Sequence, residues 1–193
     1  MFAALAVERG FAEPVLLLDD EATRAAVRAK LLQMAALSEP GDLFLLTFCG
    51  HGGRTRVRVR GDEVQEVGTW QLYDGTLNDA QIKADLACFR QGVRVLVVAD
   101  NCGGGMPAPG QSDLKASVLV LAACEEGKYA DGAGLPGHFA EALRRTLDRI
   151  GFTGTYSALH EALCHAMPPY QQPDFYRLGA PDAAFEAQRP FTI

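Results

Sequence analysis

Two short apolar runs each deliver a residue that can do chemistry. Phe44–Phe48 leads into Cys49-Gly50-His51-Gly52-Gly53, and Val95–Ala99 leads into Asp100-Asn101-Cys102-Gly103-Gly104. Continuous Leu- and Val-rich runs of this length, bounded by glycines, predict strands buried on both faces. In open α/β sheets reactive groups collect just beyond the carboxyl ends of parallel strands. Two such strands side by side would bring His51 next to Cys102. The nucleophilic form of cysteine is the thiolate, which a neighbouring imidazole favours. The predicted chemistry is therefore acyl transfer through Cys102, with His51 handling the protons. Glycines around both residues let a peptide backbone approach closely. The plainer reading of Cys102 is a buried, inert thiol. Its place after an apolar strand and before three glycines favours the nucleophile.

The rest of the chain supplies elements that could hold these strand ends. Residues 2–9 predict a helix ending at Gly10, and Val15–Leu18 a short strand. Asp19 and Asp20 place carboxylates at the start of an Ala-rich amphipathic helix over 21–37, where the positive end of a helix dipole favours them. Arg56, Arg58 and Arg60 alternate with valines, turn at Gly61-Asp62 and return through Glu63–Val67, a hairpin pattern. Those arginines form either a basic patch or, more simply, a solvated face opposite Glu63 and Glu66. Trp70–Gly75 predicts a loop or edge segment. Asn78 is a candidate N-cap for a helix reaching Phe89. Residues 103–116 begin with a Gly/Pro-rich stretch and predict a mobile loop. Ser117–Ala123 predicts another buried strand, followed by helices over 138–149 and 155–166 and an irregular tail from Pro168. Strands alternating with helices imply an α/β fold with a mostly parallel, helix-covered sheet.

Composition narrows the function classes. The 193 residues carry a formal net charge of −6, which offers no electrostatic case for nucleic acid or an anionic membrane. The longest apolar runs are strand-sized, so no membrane helix is predicted. Met1–Gly10 has no basic segment ahead of its apolar residues, unlike a secretory signal. Five cysteines without such a signal predict reduced thiols and a cytoplasmic location. His138, His160 and His165 show no partner at i+3 or i+4 and predict surface or packing roles. Without a Cys-x-x-Cys pair a structural zinc site is not expected. The glycines after Cys102 lack the Lys-Ser/Thr close of a phosphate loop.

His51 lies 51 residues upstream of Cys102, a separation near the one that characterises caspases. With Cys49-Gly50-His51-Gly52 and Asp100-Asn101-Cys102-Gly103-Gly104, the chain resembles the caspase-like clan of cysteine peptidases (peptidase C14 type). It is most similar to bacterial orthocaspases and metacaspases. The likeness continues through Trp70–Gly75, Ala122-Ala123-Cys124 and Glu186–Phe191. The resemblance implies a three-layer α/β/α caspase-hemoglobinase-like fold over residues 1–193. Residues 1–102 would be a large-subunit-like part, 103–116 the mobile loop and 117–193 a small-subunit-like part. It further implies a Cys102–His51 dyad and oxyanion donors at the backbone N–H groups of Gly52 and Cys102. Asp100 and Cys49 would line the S1 pocket. A carboxylate at Asp100 attracts a P1 Arg or Lys and repels an acidic side chain. The substrate would be a peptide or protein, and Lys115 is a candidate for self-processing. No cofactor is required; some metacaspases use calcium, for which Asp74 and Asp79 are the candidates here.

One departure from the family matters. The clan's usual first strand, which lies between those corresponding here to 15–18 and 43–48, has no counterpart in this sequence. Either Val15–Leu18 shifts to close the gap, or a partner chain or dimer completes the sheet. The alternative to a peptidase is accordingly a catalytically silent caspase-like scaffold or partner-dependent module.

Overall fold

The computed structural model describes residues 1–60, 63–101, 113–124, 137–148 and 152–193. Its centre is a four-stranded sheet in the order β1-β5-β6-β7. Strands β1 (Leu43–Cys49), β5 (Arg94–Asp100) and β6 (Ser117–Ala122) run parallel, and β7 (Asp174–Gly179) is antiparallel to β6. A second, antiparallel sheet is made of β2 (Gly52–Arg60), β3 (Glu63–Leu72) and β4 (Gly75–Asn78), in that order.

The central strands alternate between two cores. Leu96, Val98, Leu119 and Leu121 join one cluster with α1 (Phe2–Glu8), α4 (His138–Asp148), α5 (Tyr156–Ala166) and α6 (Ala183–Ala187). Val95, Val97, Ala99, Val118 and Val120 join the other with α2 (Arg24–Leu37), α3 (Asp79–Leu86) and the base of the second sheet. Helices on both faces explain why β5 and β6 are continuous apolar runs rather than alternating ones. The expected three-layer, mostly parallel α/β architecture is the observed one.

Four segments differ from the sequence expectation. Val15–Leu18 forms no strand; Val15, Leu16 and Leu18 are 57%, 53% and 59% exposed. An extended segment needs a neighbouring strand for its backbone groups, and none stands beside it among the described residues. Asp19 and Asp20 do not open α2. They lie in a 3-10 turn over Asp19–Glu21, Asp19 has φ 46°, and the cap is Thr23, whose hydroxyl accepts from the Ala26 N–H at 3.2 Å. Trp70–Leu72 is not loop but the end of β3, which turns at Tyr73-Asp74 into β4. The tail after Pro168 is ordered: β7 edges the central sheet, and Phe185 of α6 and Phe191 bury their rings in the core beneath it. Its short elements lack a long hydrophobic period, and tertiary packing supplies what local pattern does not.

Other expectations hold. Asn78 caps α3 in a reciprocal box with Gln81, the two bonds being 2.9 and 3.1 Å. The β2–β3 register sets Arg56 opposite Glu66, and Arg56, Arg58 and Glu66 are exposed, so arginine and glutamate share a solvated face, while the more buried Arg54 meets Glu66 at 3.0 Å. The Gly61-Asp62 turn and residues 103–112 of the expected mobile loop lie outside the described residues.

Candidate active site

The site is built at the carboxyl ends of β1 and β5. Their parallel register ends with Cys49 beside Asp100, and the Gly50 N–H donates to the Asp100 carbonyl at 3.3 Å. His51 follows at once and is exposed to solvent. Its carbonyl accepts the Gln71 N–H at 2.9 Å, tying the loop to β3. Beneath it the ring of Phe48 stacks on Trp70, with centroids 4.3 Å apart and planes at 8°. Trp70 is the cross-strand partner of Gly52. A Cβ at Gly50 would sit 3.1 Å from the Phe48 ring, so glycine there lets the chain turn tightly over that stack. His51 is thus carried by one strand and braced by a second sheet.

Just past β5, Asn101 is buried and its carbonyl accepts from the Cys124 thiol at 3.4 Å. Cys102 lies outside the described residues; in sequence it stands two positions past Asp100, as His51 stands two past Cys49. The register therefore brings the bases of the two predicted reactive segments together.

Asp100 is the most informative carboxylate. Burial raises its pKa above the ordinary value, while the Ala140 N–H and the charge of His138 pull it the other way. Ala140 and His138 belong to the first turn of α4, so Asp100 serves that helix as a cap from 38 residues away in sequence. Part of Cys49 reaches solvent, yet crowding around its thiol pushes the pKa up to about 11, with the Asp100 carboxylate adding to the effect. The Cys49 thiol is therefore protonated at neutral pH.

Other expected residues are engaged elsewhere. The Asp74 carboxylate accepts the Arg24 N–H at 2.8 Å and lies 3.6 Å from the Arg24 side chain. Burial raises the pKa of Asp79, against hydrogen bonds from the Ala80 and Gly68 N–H groups. Among the described residues no three His, Cys, Asp or Glu side chains are grouped to hold a metal. His160 does have a partner at i+4, contrary to the sequence reading: its Nε2 is 3.4 Å from the Cys164 sulfur. The same nitrogen lies 3.0 Å from the Pro173 carbonyl, which takes the ring proton and makes this pair a tie between α5 and the segment before β7. A cavity of about 280 Å³ lies at the opposite end of the sheet, lined by Ser117, Arg177, Gly179, Asp182, Phe185 and Glu186 among others, away from His51. Sequence reasoning missed His138 and the Phe48–Trp70 stack. An aromatic directly before the Cys49-Gly50-His51 turn was the available signal for the stack.

The model of the caspase domain, peptidase C14, matches residues 3–185. The chain belongs to the caspase-domain family. This caspase-domain chain is similar over its whole length to protein GSU0716 from Geobacter sulfurreducens. The two share 32% identity, the match covers 86% of that chain, and the TM-score is 0.86. It is also similar to caspase-1 from Spodoptera frugiperda at 15% identity, over 97% of this chain and 79% of that one. There a TM-score of 0.55 speaks for the fold. No curated protein matches. Among the described residues of this caspase-domain chain, no helix is long and apolar enough to cross a membrane.

Proposed function

We propose that this caspase-domain protein is a cysteine endopeptidase that cleaves after Arg or Lys. The observation that carries the proposal is the β1–β5 register, with Cys49 beside Asp100 at the two strand ends that lead to His51 and Cys102. The Cys102 sulfur attacks the scissile carbonyl carbon and forms a C–S bond. The carbonyl electron pair collects on oxygen, where the backbone N–H groups of Gly52 and Cys102 stabilise it. His51 holds the thiol proton and passes it to the leaving amine as the C–N bond breaks. Water, deprotonated by His51, then cleaves the thioester. The Asp100 carboxylate, with Cys49 beside it, selects a cationic P1 side chain. No step in this scheme uses a metal.

The second reading, a silent scaffold, draws on two features. Asp100 is already engaged by α4, and among the described residues the strand that delivers His51 is the outer one of its sheet. Hydrolysis of paired fluorogenic peptides with Arg or Asp at P1, with and without calcium, by wild type and Cys102→Ala, separates the readings. Arg cleavage lost in the variant is expected. Asp cleavage overturns the specificity, and silence on both peptides from folded protein overturns the peptidase.

A further inference from the structure

Outside the candidate active site, one pair of side chains has the chemistry of a reactive thiol. His160 and Cys164 stand four residues apart on α5, so both lie on one face of that helix. The His160 Nε2 is 3.4 Å from the Cys164 sulfur and 3.0 Å from the Pro173 carbonyl oxygen. A carbonyl oxygen only accepts, so the ring proton is on Nε2. That nitrogen cannot take the thiol proton. It presents an N–H to the sulfur instead. The sulfur's own approach to the Pro173 carbonyl is longer, at 4.0 Å.

A hydrogen bond donated to the sulfur favours the thiolate over the thiol, because the charged form is the stronger acceptor. The thiolate is the form that reacts. Part of Cys164 reaches solvent, so a small reagent can meet it. The donor is held in place by the Pro173 carbonyl and by the Phe175 ring, whose centroid lies 6.0 Å from that of the imidazole. Pro173 leads directly into β7, whose first residue, Asp174, pairs with Ala122 at the carboxyl end of β6. Cys49 and Asp100 stand at this same end of the sheet.

We propose that Cys164 is a second reactive thiol, a site of oxidation by hydrogen peroxide that the N–H of His160 activates. The Cys164 proton leaves to solvent, and the thiolate attacks one peroxide oxygen. The S–O bond forms as the O–O bond breaks, and hydroxide departs and takes up a proton. The sulfur is oxidised to a sulfenic acid and the peroxide is reduced to water. His160 is a positioning residue in this step: it supplies a hydrogen bond and exchanges no proton.

The test uses the full chain carrying Cys102→Ala, so that the candidate nucleophile consumes no reagent. Brief exposure to hydrogen peroxide with dimedone at neutral pH, followed by peptide mapping, reads sulfenic acid at each remaining cysteine. Cys88 is the internal control: it is exposed, and its thiol meets the Ala84 carbonyl at 3.6 Å. Cys164 is expected to label faster than Cys88, although it is the less exposed of the two. His160→Phe keeps a ring beside Phe175 but has no N–H. It is expected to slow Cys164 labelling about tenfold, the change in thiolate population that one pKa unit represents, and to leave Cys88 unchanged. His160→Gln offers an N–H again and should recover part of the rate. Labelling of Cys164 no faster than Cys88, or a rate that does not fall in His160→Phe, overturns the proposal. The comparison of Cys164 with Cys88 stands even where His160→Phe fails to fold. The assay reads modification and not hydrolysis, so failure here leaves the proposed function standing, and the reverse also holds.

Discussion

Consider Asp100→Asn, which keeps the shape and the acceptor oxygen of the side chain and removes its charge. In the folded protein burial is the dominant influence on this carboxylate and raises its pKa. Ionised Asp100 is therefore less favoured in the fold than in the unfolded chain. As pH rises through the unfolded value, the unfolded chain releases its proton first, and stability falls until the folded carboxyl also ionises. Asparagine escapes that fall and can still accept the Ala140 N–H. It gives up only the charge–dipole part of the α4 cap, about 0.3–1 kcal/mol. At neutral pH its melting temperature should equal or exceed that of wild type. Asp100→Ala loses the acceptor as well and should cost about 0.5–2 kcal/mol. Cleavage should respond differently. Removing one partner of a desolvated charge pair costs about 2–4 kcal/mol, roughly 30- to 1000-fold in kcat/KM for an Arg peptide. The wild-type preference for Arg should also fade on acidification at a higher pH than an unperturbed carboxylate would give. Thermal melting at neutral pH and peptide hydrolysis on the same preparations read both effects. An Asp100→Asn protein that is clearly less stable than wild type, or that keeps full Arg cleavage, would refute the reasoning.

Trp70→Ala should destabilise by about 3–5 kcal/mol, since Trp70 is 1% exposed and stacked on Phe48. Trp70→Phe should lose much less, because the indole Nε1–H finds no acceptor among the described residues and its removal offsets part of the lost packing; calorimetry on the two variants checks the order. Cys49, with a thiol pKa of about 11, should be thiolate in only about one molecule in a thousand at pH 8 and resist iodoacetamide despite its exposure. Peptide mapping after brief alkylation that finds Cys49 labelled as fast as a free thiol would contradict that assignment.

How much could be read beforehand depends on where the information sits. β1, β5 and β6 were legible because strands covered on both faces become continuous apolar runs, and α3 because Asn78 and Gln81 announce its start. Val15–Leu18 reads as a strand by the same rule, but a strand is a relation between two segments, and no strand among the described residues stands beside it. β7 and α6 were missed because they are short and mix polar with apolar residues, their burial being decided by β6 and α5. At the site, the Cys49–Asp100 neighbourhood followed from the two runs alone. The cap that Asp100 provides to α4 did not, since 38 residues separate Asp100 from His138 and no local spacing signals that contact.

The ladder between β5 and β6 has one more consequence. These strands are consecutive in sequence and adjacent in space, paired from Arg94 with Ser117 to Ala99 with Ala122, and β7 is zipped to the far side of β6. A backbone cut between them, at Lys115 for example, severs the covalent thread at a place where six residue pairs already bridge the break. The two fragments, each incomplete in its core without the other, would migrate as one particle until denatured. Processing of this chain would therefore be visible on a denaturing gel and silent on a sizing column.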